Sequence, residues 1–187
     1  MTRLSTTSFA AAAVSLVCLV GCADMSSKTP SAPTGTSSAV RDDVTFFRQF
    51  NQIDPLAGYA LLPNAEEFTT GRLDGSEAHR PIIRVTLNSI AMGSLRNGRL
   101  PAGATFAEGS IVLKEVRASA STVPTLYVVM MKDSGNPLAG DGWLWAEYGP
   151  TGSVAFSVSN RGSACTSCHR RQQGPRNDLV RSFERQQ

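Results

Sequence analysis

The chain has 187 residues, 41% of them hydrophobic and 18% charged, with a formal net charge of +3. That is too apolar for a disordered chain and too weakly basic for a dedicated nucleic-acid binder, and the length suits one principal domain. Of the four cysteines, Cys18 and Cys22 fall near the N-terminus and Cys165 and Cys168 near the C-terminus.

From Phe9 to Val20 the chain is apolar except for Ser15, behind the single charge of Arg3. A membrane-spanning helix needs about 20 apolar residues, so this shorter run reads as the core of a secretory signal. The Leu19-Val20-Gly21-Cys22 sequence then resembles the lipobox of bacterial lipoproteins. The resemblance implies a signal over residues 1–21, a lipid anchor on Cys22 and a periplasm-facing protein. Ala23 after the cysteine favours the outer membrane; a general signal cleaved near Ala23 is the alternative. Residues 22–40 are rich in Ser, Thr, Ala and Pro and read as a tether of roughly 23 Å. The folded domain is expected over residues 41–187.

Residues 41–53 set Val44, Phe46, Phe47, Phe50 and Ile53 at helical spacing, with acids in the first turn and Asp54-Pro55 as the stop. Beyond Gly71 the pattern changes to short apolar runs punctuated by Gly and Pro. These predict strands over 81–88, 110–117, 124–132, 142–149 and 152–158. A short helix is expected at 88–96 with Asn88 as its cap. Ser163 is read as the cap of the turn that follows it, and a last helix from Asn177 would bury Leu179, Val180 and Phe183. The expected class is α+β and β-dominated: an antiparallel sheet of about five strands, a few flanking helices and a C-terminal haem-attachment helix.

That last element rests on Cys165-Thr166-Ser167-Cys168-His169. Two cysteines at this spacing serve as a disulfide, a redox pair, half a zinc site or a haem attachment. Covalent haem needs two thiols for its vinyl groups and an imidazole for the iron, and C-x-x-C-H supplies all three within one helical turn. Structural zinc wants four ligands, whereas the domain offers two cysteines and two histidines, His79 and His169. The expected cofactor is one covalent haem c with His169 as axial ligand; the redox pair and the metal site remain as alternatives. No Met or His follows His169, so a sixth ligand would come from His79, Met92, Met130 or Met131, each also readable as packing. The expectation is therefore a five-coordinate iron with an open face.

Alternation along a strand puts Val112, Lys114 and Val116 on one side and Ile111, Leu113 and Glu115 on the other. A lysine between valines either reaches to an edge or, if buried, is held as a neutral, nucleophilic amine.

Taken in order, Ile83-Arg84-Val85, Leu100-Pro101-Ala102-Gly103, Glu108 to Val116, Met131-Lys132-Asp133, Gly142 to Trp145, the C-x-x-C-H and Asn177 to Val180 resemble the cytochrome P-460 family, relatives of cytochrome c′-beta. The resemblance covers roughly residues 55–185. It implies that Lys114 is a candidate for a covalent link to the haem and that Arg84 lies near the haem pocket or a propionate. Asp178 would orient the imidazole of His169 or cap a helix. The distal carboxylate of the hydroxylamine-oxidising members lines up with Val128; Glu147, Asp133 or Glu115 substitutes only if the fold aims it inward. An apolar Val128 favours neutral ligands such as NO. Trp143 and Trp145 would line the haem or the core. Arg170, Arg171, Arg176, Arg181 and Arg185 form a basic face for solvent or an acidic electron partner. The expected function is redox conversion of hydroxylamine or nitric oxide with a soluble electron-transfer partner. A non-catalytic NO-binding protein and an electron-transfer cytochrome are the competing readings, and a homodimer would match relatives.

Overall fold

Five strands are found where the sequence predicts them, and the computed structural model describes residues 40–51, 58–71, 76–171 and 178–182. The signal, Cys22 and the tether through residue 39 lie outside the described residues, as do Ile53, Arg176, Asn177, Phe183 and Arg185. Among the described residues no helix is long and apolar enough to cross a membrane. Val40, assigned to the tether from sequence, is buried, and its carbonyl accepts from Asn136 Nδ2 at 3.0 Å.

The order is α1 (Asp43–Asn51), β1 (Tyr59–Leu61), β2 (Thr69–Thr70), a 3₁₀ turn (Glu77–His79), β3 (Ile82–Asn88), α2 (Ser89–Gly93), β4 (Ile111–Arg117), β5 (Leu126–Lys132), β6 (Trp143–Tyr148), β7 (Val154–Phe156), a second 3₁₀ turn (Val158–Asn160) and α3 (Thr166–His169). All pairings are antiparallel in a seven-stranded sheet, β1-β3-β4-β5-β6-β7, with β2 also on β3. The two strands beyond the expected five are three and two residues long, too short to show alternation.

Both faces of the sheet are covered. On one, α1 lays Phe46 and Phe50 against Leu113, Val129, Met131, Ala146 and Tyr148. Burying each phenylalanine contributes about 1.5–3 kcal/mol. Helix α1 begins with the Asp42 carboxylate accepting from Thr45 N (2.8 Å), and Asp43 ties it to the sheet by accepting from Tyr148 Oη (3.0 Å), Ser157 Oγ (2.6 Å) and Val158 N (2.8 Å). On the opposite face Leu87, Val112, Met130, Trp143 and Trp145 pack against Leu95, Leu100, Phe106 and Val180.

Asn88 caps α2 as expected, accepting from Ala91 N (2.9 Å); the same oxygen takes Ile111 N (2.9 Å), while Nδ2 donates to Gly109 O (2.9 Å). Two end assignments need correction. Ser163 does not cap α3: the capping position is Cys165, with no side-chain hydrogen bond, because the chain enters from a turn in which Cys165 N and Thr166 N donate to Gly162 O. The expected last helix is replaced at Asp178 and Leu179 by left-handed backbone (φ 48° and 70°), which a right-handed helix cannot contain. Val180 is buried nonetheless.

Candidate functional site

The C-x-x-C-H segment is seated on the second face by a close approach. Gly162 (φ 68°) passes so near Trp145 that a Cβ there would meet the indole at 2.4 Å, so glycine is required both for the turn and for the contact. Trp145, held through Nε1 to Gly140 O (2.9 Å), meets the His169 ring edge-on with centroids 4.9 Å apart. Trp143 is fully buried against Phe106 and belongs to the core, so the two tryptophans divide the roles expected of them.

His169 Nδ1 lies 2.7 Å from Leu179 O. A carbonyl only accepts, so Nδ1 carries the proton and Nε2 is the nitrogen with a lone pair for a metal. This corrects the expectation for Asp178, whose carboxylate does not orient the ring through that nitrogen. It accepts from Lys132 Nζ (2.9 Å) and Phe106 N (2.9 Å) instead, and the reversed backbone delivers the next carbonyl to the imidazole. Lys132 and Asp178 are both largely buried, and the ammonium lies 5.1 Å from the centre of the Trp143 ring.

One register row of this face reads Val85, Lys114, Val128, Glu147, Phe156 from β3 to β7. Lys114, Val128 and Glu147 are half-buried. Lys114 Nζ contacts His79 Nδ1, and the His79 and His169 rings stand 6.3 Å apart, tilted by 36°. Burial raises the Glu147 carboxyl above its ordinary value; nearby Lys114 pulls it down and Glu77 pushes it up. Burial likewise pushes the Cys165 thiol up to about 11, helped by Glu147 and opposed by Lys114. Amine, carboxylate, thiol and two imidazoles thus form one electrostatically connected group.

The same alternation removes two expected members. Arg84 pairs in register with Glu115 on the α1 side of the sheet, opposite Lys114, where it forms ion pairs with Glu67 (3.3 Å) and Glu115 (3.5 Å). It is not beside the C-x-x-C-H, and Glu115, also held by Arg117 (2.7 Å), is not a base for that face. Asp133 accepts from Asn136 Nδ2 (3.0 Å) in the turn after β5. Of the three carboxylates considered, Glu147 is the one aimed inward, directly across from Val128. The arginines are partly committed: Arg170 makes a two-pronged pair with Asp141 (2.6 Å each), and Arg181 donates to Cys168 O (3.2 Å).

Glu147 carried a sequence signal, a lone carboxylate in the apolar run from Gly142 to Tyr148; His79 carried none beyond being one of two histidines. The alternatives for the cysteines lose support. Burial shifts Cys165 away from the low pKa of a redox-active pair. Among the described residues no three His, Cys, Asp or Glu side chains gather as a metal site. Two thiols at the i, i+3 spacing, followed by an imidazole whose Nδ1 is engaged, fit a haem.

A β-sheet that carries this motif on one face, with a fixed imidazole beside it, suits a haem cytochrome. The cytochrome P460 family profile matches residues 66–181, and the chain belongs to that family, which implies a haem cofactor. Comparison with curated proteins gives no match.

Proposed function

We propose that the protein is a periplasm-facing cytochrome, lipid-anchored through Cys22, with one haem c that converts a small nitrogen compound, hydroxylamine or nitric oxide. The observation that supports this most directly is the row in which Lys114 and Glu147 flank Val128 on the His169 side of the sheet. Cys165 and Cys168 would hold the haem covalently, and His169 Nε2 would bind its iron. When bound, the haem supplies one-electron chemistry and a position for a small nitrogen ligand.

Oxidising hydroxylamine releases protons, and a carboxylate whose hold on a proton is strengthened by burial is suited to receive them. Glu147 does so from the strand next to the one that carries a carboxylate in the hydroxylamine-oxidising relatives. Lys114 is the amine that would join the haem. Electrons leave to a soluble acceptor, with the outer membrane as the favoured anchoring site. Val128 supports a second reading, an NO-binding protein without turnover, because it leaves an apolar wall between the amine and the carboxylate.

Two measurements test the proposal. The ferrous spectrum of the haem-loaded protein should show a strongly red-shifted Soret band that Lys114→Ala returns to an ordinary c-type position. Hydroxylamine oxidation with an artificial acceptor should fall about 10²–10⁴-fold in Glu147→Gln. Turnover of wild type no faster than free haem would leave NO binding as the function.

A further inference from the structure

The turn that positions His169 is strained. Asp178 and Leu179 both hold left-handed backbone (φ 48° and 70°), which is unfavourable for any residue but glycine and most of all for a bulky one such as leucine. Residues held this way persist only where their surroundings over-determine them. What the strain delivers is one atom, Leu179 O, 2.7 Å from His169 Nδ1.

The restraint comes from outside the turn. Asp178 is anchored by Phe106 N (2.9 Å) and by the Lys132 ammonium (2.9 Å), 72 and 46 positions earlier in the chain. Arg181 fastens the other end of the segment to the C-x-x-C-H helix through Cys168 O (3.2 Å).

Lys132 is itself fixed. At the end of β5 its N–H donates to Ser110 O and its carbonyl accepts from Gly109 N, both at 2.8 Å. Its side chain is buried with the ammonium over the Trp143 ring, and a Cβ on Gly142 (φ 80°) would stand 3.3 Å from the nitrogen. Burying an ammonium and a carboxylate together contributes little net stability, because desolvation offsets their attraction and apolar residues would fill the space as well. The charges accomplish what an apolar pair does not: they fix the carboxylate oxygens and, with them, the backbone of a strained turn.

We propose that Lys132 is a positioning residue for the axial imidazole, acting from β5 through Asp178 and the Leu179 carbonyl. This rests on the haem reading above. With residue 132 neutral, the Asp178 carboxylate loses its cation, the turn relaxes and Leu179 O leaves Nδ1. The imidazole then turns more freely and is a weaker donor to the metal.

The test uses the full haem-loaded chain, with haem content, the ferrous iron–histidine stretching line and the reduction potential as readouts. Lys132→Met should lower the stretching line and raise the potential, both marks of a weaker axial donor. Lys132→Gln keeps a donor for Asp178 and should shift both the same way by less; it also serves should Lys132→Met not fold. Phe50→Ala weakens the opposite face of the sheet and should leave both readouts at their wild-type values, which separates positioning from loss of stability. Covalent haem with both readouts unchanged in the two Lys132 variants overturns the proposal while the haem reading stands, as does a shift of the same size in Phe50→Ala. Absence of covalent haem overturns both together.

Discussion

Beneath α1 the sheet is closed by rings that meet edge to face: Phe46 with Phe50 and Tyr148, Phe47 with Phe50, and Phe50 with Tyr127. Its polar atoms have local partners, Tyr59 Oη on Phe50 O and Tyr148 Oη on Asp43. Across the same strands, one residue out of step, the opposite face carries Lys114 and Glu147 near its middle and sets His79 and His169 over them. The first face removes apolar surface from water and is the source of stability. The second keeps titratable groups half out of water, an arrangement that costs stability and tunes reactivity. A single β pleat separates the two environments.

The comparison can be broken from either side. Phe50→Ala should cost the most, about 3–5 kcal/mol in denaturant unfolding, while the haem spectrum of the folded fraction stays as in wild type. Asp178→Ala comes next. It strands Lys132 in a buried site and should cost about 3 kcal/mol. Because it also frees the turn that carries Leu179 O, the ferric spectrum should change with it, which Phe50→Ala does not predict. Glu147→Gln should have the smallest effect on stability, with the opposite sign.

The sign follows from Glu147's raised carboxyl: the folded state holds that proton more tightly than the unfolded chain. Its contribution is complete below the unfolded value of 4.5 and is lost as pH rises through the folded one. Thermal melts should therefore show Glu147→Gln equal to wild type near pH 4 and more stable, by less than about 1 kcal/mol, near pH 8. Equal melting at both pH values would mean that the carboxylate is solvated and the second face less costly than argued.

Much of this was legible from residues alone. Short apolar runs punctuated by Gly and Pro located β3 to β7, the aromatic spacing located α1, and Asn88 was readable as a cap because a helix start lacks internal partners for its N–H groups. The C-x-x-C-H named its chemistry by composition. Arg84 was not legible, because its face relative to Lys114 depends on the β3–β4 register, and a one-residue slip would reverse it. Glu147 gained significance only when β6 was paired with β5. For Asp178 the sequence offers orientation of the imidazole or a helix cap, since sequence distance cannot show that two left-handed residues in succession hand the first role to the following carbonyl.

That carbonyl also bears on the electronic character of the ligand. A carboxylate on Nδ1 would draw the proton and leave the imidazole partly anionic, a stronger electron donor at Nε2. Leu179 O is neutral and does so less. The nearby negative charge of Asp178 is matched by Lys132, so the charge that fixes the turn is kept off the ring. One backbone carbonyl thereby sets both the orientation of His169 and its donor strength, and Asp178 acts on them only through the turn that it holds.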